Sequence, residues 1–327
     1  NEPLDQQRGA QFGRRRSTSL PRKAGEGRGG GLATLSDAIY INACSDYVEP
    51  IASDTIARDL KPLVAEAVGE SVRRIGRFIQ IALIGAGRCA RQVELPKDAG
   101  VYLGSGRGDL EVTIDVMQAL VRDGQAPKPL SFINTVSNAA CFYVAQSLQL
   151  TSRSTFVCNR YFAFEAMLQL AKLDLDCGIV DAALVGTVDV VVPPLASHRI
   201  RLGLDADTPV AEASHWLMLQ KQRSSATLGR LIAAEHFIDA QALRAWLASQ
   251  AIDAGWKLAM GQFISDDEAE RWRCELGIEV FDYRTALAYY DSQSGAVIGE
   301  FLRRGQGVVL HINRDPGGRY EVMCVER

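Results

Sequence analysis

The chain has 327 residues, 47% hydrophobic and 23% charged, an ordinary globular composition with enough chain for one large domain or two modest ones. Its net charge of −3 at pH 7 gives no reason to expect nucleic-acid binding, and no apolar run reaches the ~18–20 residues needed to span a bilayer. Seven scattered cysteines without a C-x-x-C pair exclude a zinc knuckle and a thioredoxin-like motif. Their apolar contexts predict buried, reduced thiols in a cytoplasmic protein with neither metal nor cofactor.

Residues 1–31 hold seven Arg/Lys against three acids, leaving about −7 for the rest. No apolar run follows these basic residues, so they are not read as a secretory signal. Residues 1–35 are rich in Gly, Arg and Ser and end in GEGRGGGLATLS. That composition predicts a disordered tail, either loose or used as a basic docking arm.

Order is expected from DAIYINACSDY (37–47), a β-branched and aromatic strand. IASDTIARDLKPLVAEAVGESV reads as helix. RRIGRFIQIALIGAGRCARQV (73–93) reads as a helix that is nearly all apolar on its inner side. AGVYLGSGRGDL (99–110) is a strand running into a Gly-rich turn, and VTIDVMQALVRDG an amphipathic helix. PLSFINTVSNAACFYVAQSLQL (129–150) should open extended and become helical near Ser137. STFVCN is read as strand and RYFAFEAMLQLAKLDLDCG as helix stopping at Gly178. VDAALVGTVDVVV (180–192) is an apolar strand of the kind buried inside covered sheets. After Arg223 the reading is strand TLGRLIAAEHF, helix DAQALRAWLASQAI, strand WKLAMGQF, helix SDDEAERWRCELG, strand IEVFDYRT, helix SGAVIGEFLRRG, and strands GVVLHINRD and RYEVMCVER. Alternating strands and helices predict an α/β fold, and two successive blocks invite a duplicated architecture.

Several of these stretches together resemble the β-ketoacyl synthases, the condensing enzymes of the thiolase fold. RRIGRFIQIAL resembles an early family helix, VYLGSGRG its strand-to-glycine loop, and FINTVSNAACFYVAQSLQLTSRS its dimer-interface segment. FEAMLQLAKLDLDCGIVDAALVGTVD is similar to the family's active-site helix and next strand. LDADTPVAEASHWLMLQ loosely resembles the segment after that strand. NRDPGGRY stands where the family has a glycine loop, with Gly317 and Gly318 kept. The resemblance spans about residues 37–327. It implies a five-layered α-β-α-β-α fold with two pseudo-duplicated halves, 36–225 and a shortened 226–327.

In that family a nucleophilic cysteine opens the active-site helix, where backbone N–H groups and the helix dipole lower its pKa. Aligned on this chain, the slot falls on Tyr161, and Cys158 lies three residues earlier. A phenol with a reference pKa near ~10 is a poor acyl carrier at neutral pH. The two histidine slots fall on Met260 and Tyr289, and the lysine slot on Arg284. The expectation is therefore a site with no catalytic residues. Cys158 is the fallback nucleophile, paired if at all with His215 or His311; otherwise His198, His215, His236 and His311 read as structural, with His198 in a surface loop. The GSGRG turn (104–108) is not a dinucleotide fingerprint.

Family members without the nucleophile are chain-length factors, which pair with an active ketosynthase. The resemblance thus implies a non-catalytic subunit of fatty-acid or polyketide-type biosynthesis, with aryl-polyene pigment pathways among the candidates. Its catalytic partner would dock through Asn138, Phe142, Phe156 and Cys158, with self-association as the rival. Tyr161, Phe162, Phe164, Gly317 and Gly318 would line or plug a former acyl site. The alternatives are an active acyltransferase using Cys158 and a non-catalytic acyl-carrier-protein binder favoured by Arg153, Arg160 and Arg284.

Overall fold

Ten strands build the molecule, and their order repeats. A computed structural model describes residues 38–54 and 58–327; the expected tail, residues 1–35, lies outside them. The first five strands are β1 (Ile39–Ile51), β2 (Gly100–Ser105), β3 (Ser154–Cys158), β4 (Ala182–Asp189) and β5 (Val210–Gln220). The second five are β6 (Gly229–Phe237), β7 (Trp256–Met260), β8 (Glu279–Val280), β9 (Val308–Arg314) and β10 (Tyr320–Glu326). They run β3-β2-β4-β5-β1-β6-β10-β9-β7-β8. Read outward from the antiparallel β1–β6 junction, both directions give the same sequence of roles. The first neighbour is the last strand of its set, antiparallel, then the fourth, antiparallel, then the second and third, parallel.

The helices are α1 (Lys61–Val68), α2 (Arg77–Ala90), α3 (Leu110–Met117), α4 (Pro129–Asn134), α5 (Ala139–Ser147), α6 (Ala163–Asp176), α7 (Leu195–Leu202), α8 (Ala240–Ala248), α9 (Asp266–Leu276) and α10 (Ser294–Arg304). Three large apolar clusters take in seven of them. Val64, Phe78, Ile81 and Val144 from α1, α2 and α5 cover one face of the first strands. Leu243, Leu247 and Trp272 from α8 and α9 cover the outer face of the second. Between them, Phe164, Met167 and Leu168 of α6 and Val297, Ile298 and Phe301 of α10 meet residues of both strand sets, among them Ile41, Leu217, Leu231 and Met323. This is why β4 is buried along its whole length and reads as an unbroken apolar run: both its faces are covered.

Four local expectations are corrected. Residues 129–134 are helical, because Pro129 in the first turn costs the helix no hydrogen bond. The helix expected from residue 51 begins only at Lys61, with proline again in its first turn. The strand expected over 278–285 is two residues long: the Asp282 carboxylate accepts from the N–H groups of Arg284 and Thr285 and turns the chain. His198 is buried in α7, not exposed in a loop. The thiols also divide differently. Cys89, Cys141 and Cys324 are buried, whereas Cys158, Cys177 and Cys274 are exposed. Among the described residues no helix is long and apolar enough to cross a membrane.

Candidate functional site

The four positions read as catalytic slots come from three separate elements. Tyr161 lies in the turn before α6. Asn159 shapes that turn, its side-chain oxygen accepting from the backbone N–H groups of Tyr161 (3.1 Å) and Phe162 (3.2 Å), an Asx turn at the helix entrance. Met260 ends β7, opposite Ile312 of β9. Arg284 and Tyr289 sit on the loop between β8 and α10.

Asn313 and Gly261 join these elements. Asn313 Nδ2 donates to the Tyr161 carbonyl (3.0 Å) and to Glu165 Oε1 (2.8 Å). Gly261 N donates to Ile312 O (2.8 Å), and its own carbonyl accepts from Arg284 Nη1 (3.1 Å). A Cβ on Gly261 would lie 2.1 Å from Asn313 Oδ1, so only glycine lets the two segments approach. Tyr289 is held by backbone bonds to Pro209 and Ala211, and its hydroxyl donates to Asp291 Oδ1 (3.1 Å). Met260, Arg284 and Tyr289 line one cavity of about 570 Å³.

Solved structures of similar shape include ketosynthases. The ishigamide ketosynthase/chain length factor aligns at 16% identity with a TM-score of 0.68, over 88% of this chain and 99% of that one. AntDE:AntF, described as a type II PKS acyl-carrier protein in complex with its ketosynthase, aligns at 13% identity and 0.64, over 89% and 99%. A β-ketoacyl synthase from Burkholderia phymatum aligns at 12% identity and 0.65, over 89% and 99%. The fold is that of the β-ketoacyl synthases. No protein-family model and no curated protein sequence matches the chain.

Within this ketosynthase fold the three slot side chains themselves offer little capacity to move a proton. The Tyr161 ring stands edge-on to Phe263, centroids 4.9 Å apart, with the Arg160 guanidinium 5.4 Å from its centre. Met260 has no side-chain N–H or O–H to offer a substrate. Burial pushes the Tyr289 phenol up, and its proton is committed to Asp291. Beside it Asp291 pairs with Arg107 (2.8 Å), while buried Asp189 accepts from Ser105 Oγ, Gly106 N and Ser292 N. Burial, then the Asp291 carboxylate, pushes Asp189 up to about 6. These bonds explain the Gly-rich turn. A Cβ on Gly106 would lie 2.2 Å from that of Asp291, so the turn is needed for packing against the 289–292 loop.

Cys158 ends the terminal strand β3, and its thiol faces the Gly106 carbonyl at 3.5 Å. Burial and the carboxylates of Asp189 and Asp291 push that thiol up, the reverse of what activates a nucleophile. Neither suggested histidine reaches it. His215 lies between Asp46 (2.5 Å) and the Tyr290 hydroxyl (2.9 Å). His311 bonds the Tyr283 hydroxyl (3.0 Å), and burial pushes it down to about 3. His236 pairs with Glu321 (2.7 Å) at a half-exposed position.

Of the residues read as lining an acyl site, Phe162 and Phe164 are buried, Phe164 in the central cluster. Gly317 and Gly318 form the β9–β10 turn, closed by the Gly318 N to Asp315 O bond. None of these, nor Tyr161, lines the 570 Å³ cavity. Sequence reasoning missed Glu165, Asn313 and Asp291. Glu165 is wholly buried, bonded by Asn313 and Ser294, and pushed up to about 7 by burial.

The residues read as an interface lie around β3, whose outer edge pairs with no strand among the described residues. Asn138 immediately precedes α5 without a side-chain capping bond, and Phe142 is 61% exposed. Phe156 is half-buried, edge-on to Phe78 at 6.3 Å. Phe132, Ile133 and Val136 are exposed nearby in sequence, on α4 and the turn after it.

Proposed function

We propose that this chain is a non-catalytic ketosynthase-like subunit that pairs with a catalytic ketosynthase in polyketide-type chain assembly. The observation that carries the reading is the corner itself. In this reading the family's nucleophile and base slots fall on Tyr161, Met260 and Tyr289, none of them a thiol or an imidazole; Asn313 bonds the Tyr161 carbonyl, and Met260 and Tyr289 line the cavity. The neighbouring ketosynthase/chain length factor pair and the ketosynthase–carrier complex support a ketosynthase partner and a nearby acyl-carrier protein. The finer reading places the pair in the cytoplasm in an aryl-polyene-type pathway, with residues 36–225 and 226–327 as the two halves of one ketosynthase unit.

The open edge of β3, with exposed Phe142 on the adjoining α5, is the pairing face: it offers unpaired backbone groups near an exposed apolar side chain. Co-expression with a catalytic ketosynthase should give a stable one-to-one complex by size-exclusion chromatography with light scattering. Phe142→Arg should return both chains to separate peaks. A wild-type chain that elutes only as a homodimer, unchanged by the ketosynthase, would sink the reading.

A further inference from the structure

The strand β5 has 11 residues, so Gln220 lies roughly 30 Å along it from Val210, which pairs with Tyr289. At that far end another cavity, of about 540 Å³, opens between the loop after α2 and the loop joining β5 to β6. Asn42 of β1 forms part of its wall. Ile41 faces Leu219 and Ala43 faces Met218, so Asn42 is the extra residue of a β-bulge. Bulges re-aim side chains, and this one brings a buried amide to the cavity, 2% exposed.

Asn42 sets the orientation of its neighbours. Its Nδ2 donates to Gln220 Oε1 (2.6 Å) and to the Gln222 carbonyl (3.0 Å), and its Oδ1 accepts from Thr227 Oγ1 (2.6 Å). The Gln220 amide is thereby fixed with its N–H groups free, and they meet no acceptor among the described residues. Gln92 is fixed the opposite way. Its Nε2 donates to the Cys44 (2.7 Å) and Arg88 (3.2 Å) carbonyls, which leaves Oε1 as the free edge. Both residues are accessible, Gln220 half-buried and Gln92 exposed. Arg223 and Glu94 add one charge of each sign to the lining. Among the described residues no aromatic ring lines the cavity, and Val93, Pro96 and Ala226 are its only apolar side chains.

We propose that this cavity binds a small neutral polyhydroxylated molecule, a sugar of one or two rings. A locked donor and a locked acceptor in one cavity suit hydroxyls, each of which both gives and takes a hydrogen bond. Lining charges that cancel favour a ligand without net charge. The short apolar wall leaves nothing for an acyl chain or a stacked base to lie on. The inference stands apart from the pairing proposed above: it needs neither a partner nor the ketosynthase-like corner.

The test is a saturation-transfer NMR titration of the purified full chain with glucose, maltose, cellobiose, sucrose and trehalose. Two comparators accompany them. Diethylene glycol dimethyl ether accepts hydrogen bonds but donates none, and N-acetylglycinamide carries amides without hydroxyls. At least one sugar should bind about tenfold more tightly than either comparator. Gln92→Met removes the acceptor and Gln220→Met the donors. Each should weaken that sugar by about threefold to tenfold, the worth of one neutral hydrogen bond. Cys274→Ser, on α9, should leave its affinity unchanged. Circular dichroism and thermal melting establish that the variants fold; if Gln220→Met does not, the wild-type series and the exposed Gln92 decide the question. Binding by no sugar, a comparator that binds as tightly, or a sugar indifferent to the folded variants would each overturn the proposal.

Discussion

The two sets of five strands share one order and one pattern of pairing, yet they end differently. The first closes on β3, five residues long, with α5 beside it and Phe142 exposed. The second closes on β8, two residues long, after which the chain turns at Asp282 and folds back over the cavity. The central helices differ less: α6 and α10 both bury large apolar side chains in the same cluster. The inner layer is constrained by packing on both sides, while the outer ends are free to diverge. One set ends in an open strand edge, the other beside a cavity.

The sharpest test of that contrast sets a central residue against a rim residue of the same type. Phe164→Ala removes a ring with no exposure from the layer shared by both strand sets. It should cost about 3–5 kcal/mol in urea unfolding. Phe142→Ala should change stability by less than about 0.5 kcal/mol, because its ring is mostly in water already. If the two costs were alike, the division into a packed centre and a free rim would fail.

Next in size is the joint between slots. Gly261→Ala places a Cβ against Asn313 and should destabilise the chain by about 2 kcal/mol or more, read from the urea midpoint.

Stability should also depend on pH through the central layer. Burial raises Glu165 to about 7 and Glu321 to about 8 in the folded protein. A carboxyl whose folded pKa is raised contributes stability that is fully present below its unfolded value, near ~4.5, and is lost as pH rises through the folded value. Urea midpoints should therefore fall between pH 5 and pH 8, with Glu165 accounting for up to about 3 kcal/mol. Glu165→Gln should flatten part of that slope, and a midpoint rising with pH over the same window would contradict it. The smallest effect concerns Cys158. With its thiol pushed up, iodoacetamide should label it more slowly at pH 7.5 than a free cysteine, despite its exposure. Cys158→Ala should leave stability within about 0.5 kcal/mol.

The legible parts of the fold are those where local pattern and burial agree. The strand β4 and helix α6 read correctly because covered faces demand apolar residues and Gly178 stops the helix at φ +67°. What stays hidden is long-range. Glu165 and Asn313 are 148 positions apart, and nothing near either marks a buried pair. His198 reads as exposed because Pro193-Pro194 looks like loop, whereas Pro194 in fact precedes the first turn of α7. The 278–285 segment alternates as a strand should, and Phe281 and Tyr283 do bury. The side-chain bonds of Asp282 nevertheless end the strand after two residues.

All of this turns on whether the converged corner carries acyl chemistry. Mass spectrometry decides it: the chain, alone and with a co-expressed ketosynthase, is incubated with acyl-carrier-protein thioesters, with Cys158→Ala in parallel. A non-catalytic subunit predicts acylation of the ketosynthase alone, the same with either version of this chain. An acyl adduct on the wild-type chain that disappears in Cys158→Ala would contradict that and make Cys158 the nucleophile of an active enzyme.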